Sequence, residues 1–474
     1  MSNAVNGESS DSLIACKTSQ GLEVRGTVLK FTRFAAVFEI YNAASVLRLS
    51  EVLHEFRIIF QNRALYSGRA VVRGVIDTGP ATVCEATLED GWLDVGFASP
   101  EGWQNLLRED FSRFISSSEK AFLIRPEFKV AVADLQTLLM DLRIWLEQVE
   151  LGVRSQPSGD RQQYERQTIL AVQEPILEMA AQVLEKFEMT AHQVEPEARA
   201  AHMSYMKRQI HPLVLCAPFI HRTFYKPLGY AGDYEMVNMM MRDPYEGGSL
   251  FAKILNRIFL NTPPVEAHRN RITYLTEMLR DETLLARRRG RSVNIFNLGC
   301  GPAREIQDYL AHHDICDQTR FRLLDFNRET LAHTSQVLGA LKRQYNRATQ
   351  IDLVEKSVHQ ILKEAHKFQS SEGKYDVVYC AGLFDYLSDQ VCRRLIQIFY
   401  DMAAPGGLVV VTNVDISNPS RNWMEYVLDW HLIYRDARRF RVLVPDRVKP
   451  DTAVVRSVGT GVNIVLEIRK PANG

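Results

Sequence analysis

The feature that most limits what this chain can fold into is Val293-Asn294-Ile295-Phe296-Asn297-Leu298-Gly299-Cys300-Gly301-Pro302-Ala303-Arg304-Glu305. Its apolar first half reads as a buried strand, and the remainder as a glycine turn entering a helix. Gly299 and Gly301 can adopt backbone angles closed to other residues and let a ligand approach the main chain, while a helix N-terminus offers unpaired N–H donors. A Gly-x-Gly turn alone is shared by dinucleotide-binding folds and plain tight turns, so its meaning depends on the residues downstream.

Strand and helix alternate from there on, which implies a parallel sheet covered on both faces. Phe321-Arg322-Leu323-Leu324-Asp325 reads as a second strand. It ends in a carboxylate about two dozen residues after the glycines, where an acid can accept the ribose hydroxyls of an adenosine. Leu353 to Val358 reads as a third strand whose exit should flank the adenine, and Tyr375 to Leu387 as a fourth that opens into an aromatic loop. Met402 to Gly407 is a turn before a fifth strand, Leu408 to Thr412. Thr452–Val455 and Val462–Ile468, joined by Gly459-Thr460-Gly461, are expected to form a terminal hairpin.

Upstream the rhythm differs. Short β-rich runs between about Val24 and Val95 suggest a small antiparallel barrel or sandwich. From Pro126 to Leu285 the apolar spacing is helical, with Val130, Val132, Leu135, Leu138, Leu139, Leu142 and Trp145 leading it. The break at Ser155–Asp160 should end the first helix, and Pro175, Pro196 and Pro212 should punctuate the next ones. The expected fold is therefore multidomain α/β: a flexible stretch over 1–20, a β-barrel over 21–125, a helical region over 126–285 and a Rossmann-like domain over 286–474.

With 474 residues the chain exceeds one ordinary core. Lys+Arg and Asp+Glu both total 57, so no global field draws it to nucleic acid or an anionic membrane. The seven cysteines form no Cys-x-x-Cys pair, the pattern of reduced thiols in a cytoplasmic protein. No apolar run is long enough for stable membrane insertion. Metal is not expected: His312-His313-Asp314 is not spaced for one helix face, and no His-Glu-x-x-His or Cys/His quartet occurs.

Taken in order, Asn297-Leu298-Gly299-Cys300-Gly301, Leu323-Leu324-Asp325, Tyr375 to Leu387 and Ala404 to Asn413 resemble the class I methyltransferase superfamily over about Ser292 to Lys470. The resemblance implies S-adenosyl-L-methionine as cofactor, held by Asn297, Gly299, Cys300, Gly301, Asp325, Phe326, Ser357, Val358, Cys380, Ala381 and Gly382, with Tyr230 from outside the domain. Asn297 departs from the acidic residue many members carry, which implies weaker electrostatic help with binding retained.

A further run, Phe224-Tyr225-Lys226-Pro227-Leu228-Gly229-Tyr230-Ala231-Gly232-Asp233-Tyr234-Glu235-Met236, resembles the segment before the catalytic domain in bacterial enzymes that make 3-hydroxy fatty acid methyl ester signals of quorum sensing. Residues 221–236 would then form a lid, with Tyr230, Asp233 and Tyr234 as catalytic candidates. Their other reading is a packing loop with buried rings and satisfied hydroxyls. Asn413 to His431, past the fifth strand, should border a small-molecule, fatty acyl substrate, with Arg421 and His431 as the candidates there. Two alternatives stand beside this: O- or N-methylation of another small molecule, and a cofactor-binding scaffold without turnover.

Val24 to Thr32 resembles a PilZ-like barrel, many of which bind cyclic di-GMP through an arginine-rich entry and an Asp/Asn-x-Ser-x-x-Gly turn. Here the turn reads Lys30-Phe31-Thr32-Arg33-Phe34-Ala35, without the first carboxylate or amide or the last glycine. Cyclic di-GMP binding is not expected, and a docking role or a homodimer contact is favoured for the barrel.

Overall fold

The computed structural model describes residues 12–32, 34–40, 47–60, 63–78, 81–89, 124–157, 159–288, 290–365 and 375–472. The part of the expected barrel domain between 90 and 123, and Arg33 in its turn, lie outside the described residues. Two compact units emerge: Met1–Ala231 with Pro244–Phe259 and Pro419–His431, and Gly232–Asp243 with Leu260–Asn418 and Leu432–Gly474.

The first unit begins with six antiparallel strands, β1 (Ser12–Lys17), β2 (Glu23–Phe31), β3 (Ala35–Ile40), β4 (Val52–Phe60), β5 (Arg63–Asp77) and β6 (Thr82–Leu88). They close in the order β1-β2-β3-β6-β5-β4, which leaves no free edge. The interior is filled by inward alternation: Val24, Val28, Phe38, Phe56, Ile58, Val72, Cys84 and Ala86 are all buried. The first strand lies within the stretch expected to be flexible. Its apolar run from Leu13 to Cys16 alternates between solvent and interior within a polar leader, too brief a signal to read as a strand.

Helices complete this unit: α1 (Pro126–Arg154), α2 (Arg161–His192), α3 (Arg199–Val214), α4 (Pro218–Tyr225) and most of α6 (Leu250–Leu260). Two prolines expected to punctuate them do not, because Pro175 lies inside α2 and Pro212 inside α3. A helix held by tertiary packing tolerates the lost hydrogen bond. Pro419–His431, which leaves the other unit after its fifth strand, contributes α12 (Arg421–Leu428) to this core. Tyr426 lies 5.8 Å from the Phe128 ring and 6.0 Å from Phe187, and Trp423 stacks on Phe259 at 4.7 Å. Glu188 of α2 caps α12, accepting from the backbone N–H groups of Asn422 and Trp423 at 2.9 and 2.6 Å.

In the second unit seven strands run β12-β13-β11-β10-β7-β8-β9. They are β7 (Val293–Leu298), β8 (Thr319–Asp325), β9 (Gln350–Glu355), β10 (Tyr375–Cys380), β11 (Ala403–Val414), β12 (Ala453–Val458) and β13 (Asn463–Arg469). The first five pair in parallel, and β13 lies antiparallel to both neighbours, as the predicted terminal hairpin requires. Alternation divides each central strand between two cores. Phe296, Leu298, Val378, Cys380, Val409 and Val411 face one side, packed with α11 (Asp389–Met402). Val293, Ile295, Val377, Tyr379 and Val410 face the other, packed with α7 (Pro263–Arg288) and α8 (Arg304–His312). Chain order reverses between β7 and β10, which opens a crevice at their carboxyl ends.

Candidate active site

The crevice is lined first by the glycine turn. Gly299 and Gly301 have φ of 73° and 51°, and Ala303, which enters α8, is also left-handed at 52°. The N–H groups of Gly299 and Cys300 both donate to Leu324 O, at 2.8 and 3.0 Å, which ties the turn to β8. Among the described residues, no atom beyond its chain neighbours lies within 4 Å of where a Cβ on Gly301 would sit, so the main chain there is open to a ligand. Asp325 is buried beside it, its Oδ2 accepting from Gly301 N–H at 3.1 Å and its Oδ1 from Asn327 N–H at 3.0 Å. The turn and the acid therefore meet directly.

Asn297 is 2% exposed, and its Oδ1 has no hydrogen-bond partner among the described residues. A buried amide oxygen without a donor is costly, so a donor supplied by a ligand fits this position. Beyond Asn297, Tyr379 donates to Glu305 Oε1 at 2.7 Å. Burial raises both pKa values, and for Tyr379 the neighbouring Glu305 charge adds to the effect.

Sequence reasoning missed one functional candidate, Arg271 of α7. It is 8% exposed, and among the described residues its guanidinium makes one hydrogen bond, from Nη2 to His268 Nδ1 at 2.8 Å. Burial and Arg271 together hold His268 far below the usual histidine range, so this partner is a neutral imidazole. No described carboxylate lies within ion-pair distance of the guanidinium. Burial lowers the Arg271 pKa, and Asp385 heads the charges that oppose this. A cation so placed is stabilised by an arriving anion. It lies against the loop after β10: a Cβ on Gly382, which has φ of 83°, would come within 3.1 Å of Nη2.

The other expected cofactor residues divide by role. Lys356 N–H donates to Asp325 O at 2.8 Å, which brings the exit of β9 beside the acid. Ser357 there caps α10 (Val358–Lys363) in a reciprocal capping box with Gln360, and Val358 is buried in the core. Phe326 is half-buried after β8. Cys300 and Cys380 are buried, each packed in one of the two cores that flank the sheet. Ala381 and Gly382 begin the loop after β10, and Gly382 N–H donates to Thr412 Oγ1 at 3.0 Å. Among the described residues no group of three or more His, Cys, Asp or Glu converges as a metal site.

The catalytic candidates do not share one unit. Tyr230 is half-buried in the first, and Asp233 and Tyr234 belong to the second. Asp233 caps α5 (Tyr234–Met241), its Oδ1 accepting from Met236 N–H at 2.8 Å. Tyr234 donates to Glu329 Oε1 at 2.9 Å and packs on the His333 ring at 4.5 Å, both on α9 (Arg328–Gln344). Arg421 and His431 lie in the first unit. Arg421 donates to Glu425 Oε1 at 2.8 Å. His431 is buried with Nε2 unpartnered, and burial pushes its pKa down to about 4.

Residues 296–409 match a family model described as a methyltransferase domain. No curated protein matches the chain. Among solved structures, similarity extends to a protein from Bordetella parapertussis described as a possible exported protein, with 15% identity over 61% of this chain and 93% of that one, TM-score 0.41. It extends also to the N-methyltransferase NodS from Bradyrhizobium japonicum WM9 in complex with S-adenosyl-L-homocysteine, at 16% over 50% and 98%, TM-score 0.30. An O-methyltransferase family protein from Burkholderia thailandensis shows 13% over 65% and 98%, TM-score 0.32. The matched stretch, from within β7 into β11, lies inside the second unit, which is therefore similar to a methyltransferase domain there.

Proposed function

We propose that the chain methylates the carboxyl oxygen of a 3-hydroxy fatty acid, yielding a methyl ester of the kind used in bacterial quorum sensing. S-adenosylmethionine supplies an electrophilic methyl on a sulfonium. The observations that support the cofactor half are an acceptor without a donor among the described residues, Asn297 Oδ1 on the strand before the glycine turn, and a buried cation against the loop after β10, Arg271, that forms no ion pair with a described carboxylate. An amino acid carries the ammonium and carboxylate that these two groups want. Asp325, at the end of β8, would then accept the ribose hydroxyls.

For the acceptor, support comes from the residues that line the loop after β10 and the Gly232–Asp243 segment. The carboxylates there already serve the fold: Asp233 caps α5, and Asp385 Oδ1 accepts from Val414 N–H at 2.6 Å. An acceptor that is itself a carboxylate is ionised near neutral pH and needs no proton removed. Catalysis then consists mainly in holding nucleophile, methyl and sulfur in line in a dry pocket. For the barrel we propose a docking role in place of nucleotide sensing.

Calorimetry with S-adenosylmethionine on the full chain and on Asp325→Ala tests the cofactor half. Mass spectrometry of products from a series of 3-hydroxy fatty acids tests the acceptor. Binding without any methyl ester would leave methylation of another small molecule, or a scaffold, in its place. Failure to bind would refute the whole reading.

A further inference from the structure

We infer that Arg435 is a positioning residue for methyl transfer: its guanidinium sets the shape of the loop after β10 that faces the acceptor. Arg435 is fully buried and heads the large side chains that are. Its donors are distributed over three pieces of chain. Nη1 donates to Phe384 O at 2.9 Å and to Asn413 Oδ1 at 2.5 Å, Nη2 to Leu387 O at 2.7 Å, and Nε to Asp389 Oδ1 at 2.9 Å. Phe384 and Leu387 bracket the short 3-10 turn Phe384–Tyr386, Asn413 lies at the end of β11, and Asp389 begins α11.

One planar fork therefore fixes both ends of the turn against the strand and the helix that flank it. The main chain beside Arg435 adds a further tie, as Ile433 N–H donates to Asp385 O at 2.7 Å. On its other side the same loop meets the cofactor crevice. Leu383 lies 3.5 Å from where a Cβ on Gly299 would be, Gly382 lies against Arg271, and the Tyr386 hydroxyl is 3.0 Å from the Cβ position of Gly232. Arg435 bonds to none of the residues assigned to the cofactor, so it acts on the site only through this loop. A lysine would keep the charge toward Asp389 but cannot reach Phe384, Leu387 and Asn413 in one plane.

The inference rests on the proposed function only in taking this loop as the acceptor side. Its test compares the full chain with Arg435→Lys and, as a harsher second variant, Arg435→Met, well below their unfolding temperatures. Peptide-resolved amide exchange should speed up at least about tenfold over 384–389 and stay unchanged over 297–303 and 380–382. S-adenosylhomocysteine affinity should stay within about twofold, and the turnover number on a 3-hydroxy fatty acid should fall about tenfold or more at unchanged KM for the cofactor. Lysine should retain more turnover than methionine. Unchanged exchange in the loop, or exchange and affinity that worsen throughout the unit, would overturn the inference. If the wild-type chain makes no ester, the acceptor assignment has failed, and exchange and affinity still decide the role of Arg435.

Discussion

Replacing Arg271 by methionine should remove the group proposed above to recognise the cofactor's carboxylate. Arg271 is 8% exposed, and among the described residues the neutral His268 ring is its hydrogen-bond partner. Truncating one member of a buried, hydrogen-bonded charge pair costs about 2 to 5 kcal/mol. A middle value of about 3 kcal/mol corresponds to roughly a hundredfold weaker binding. The ligand-free protein should lose less than the complex does, since Arg271 forms no ion pair with a described carboxylate and couples only at longer range to the buried Asp385 and Glu305. Titration calorimetry with S-adenosylhomocysteine and with its decarboxylated analogue separates this role from general damage. The wild-type chain should prefer the complete molecule by about a hundredfold, and Arg271→Met should bind both about equally. If Arg271→Met still discriminates between them, the carboxylate is held elsewhere and the reasoning is wrong.

Asp325→Asn keeps one of two acceptor oxygens, so either Gly301 N–H or Asn327 N–H loses its partner; cofactor affinity should fall about tenfold, read by the same titration. Gly382→Ala forces a side chain into φ of 83° and within 3.1 Å of Arg271, and should cost about 1 to 2 kcal/mol of unfolding free energy in urea. The His431 pKa of about 4 lies below the unfolded value, so the native state resists a proton that the unfolded chain accepts. Its stabilising contribution is complete above the unfolded pKa and is lost as pH falls toward 4. Relative to wild type, His431→Phe should therefore gain about 2 kcal/mol between about pH 7.5 and about pH 5, a flattening that denaturant titrations at the two pH values would detect.

The second unit was largely legible because strands buried on both faces leave unbroken apolar runs, and the Gly299–Gly301 turn and Asp325 announce the crevice. Two elements could not be read that way. In α12, Trp423, Tyr426 and Val427 form an apolar face that looks the same whichever core it enters, and only the fold sends it to the first unit. Arg271 sits on a helix rich in charge, where an arginine ordinarily points to water. Its spacing held a signal nonetheless: Ala267, Arg271 and Leu275 recur at every fourth residue and all three are buried. An arginine on the apolar stripe of an amphipathic helix is a reason to look for an anion. Asp233 illustrates the opposite lesson, since a carboxylate in an aromatic, glycine-broken run also fits a helix cap.

Because Pro419–His431 belongs to the first unit, that unit cannot finish folding until most of the chain has left the ribosome. A nascent chain that ends before residue 419 holds Phe128, Phe187 and Phe259 without the rings of Trp423 and Tyr426 that pack on them. The amino-terminal half is thus a poor candidate for expression as a separate fragment. During synthesis it exposes an aromatic groove that only its own distant segment fills.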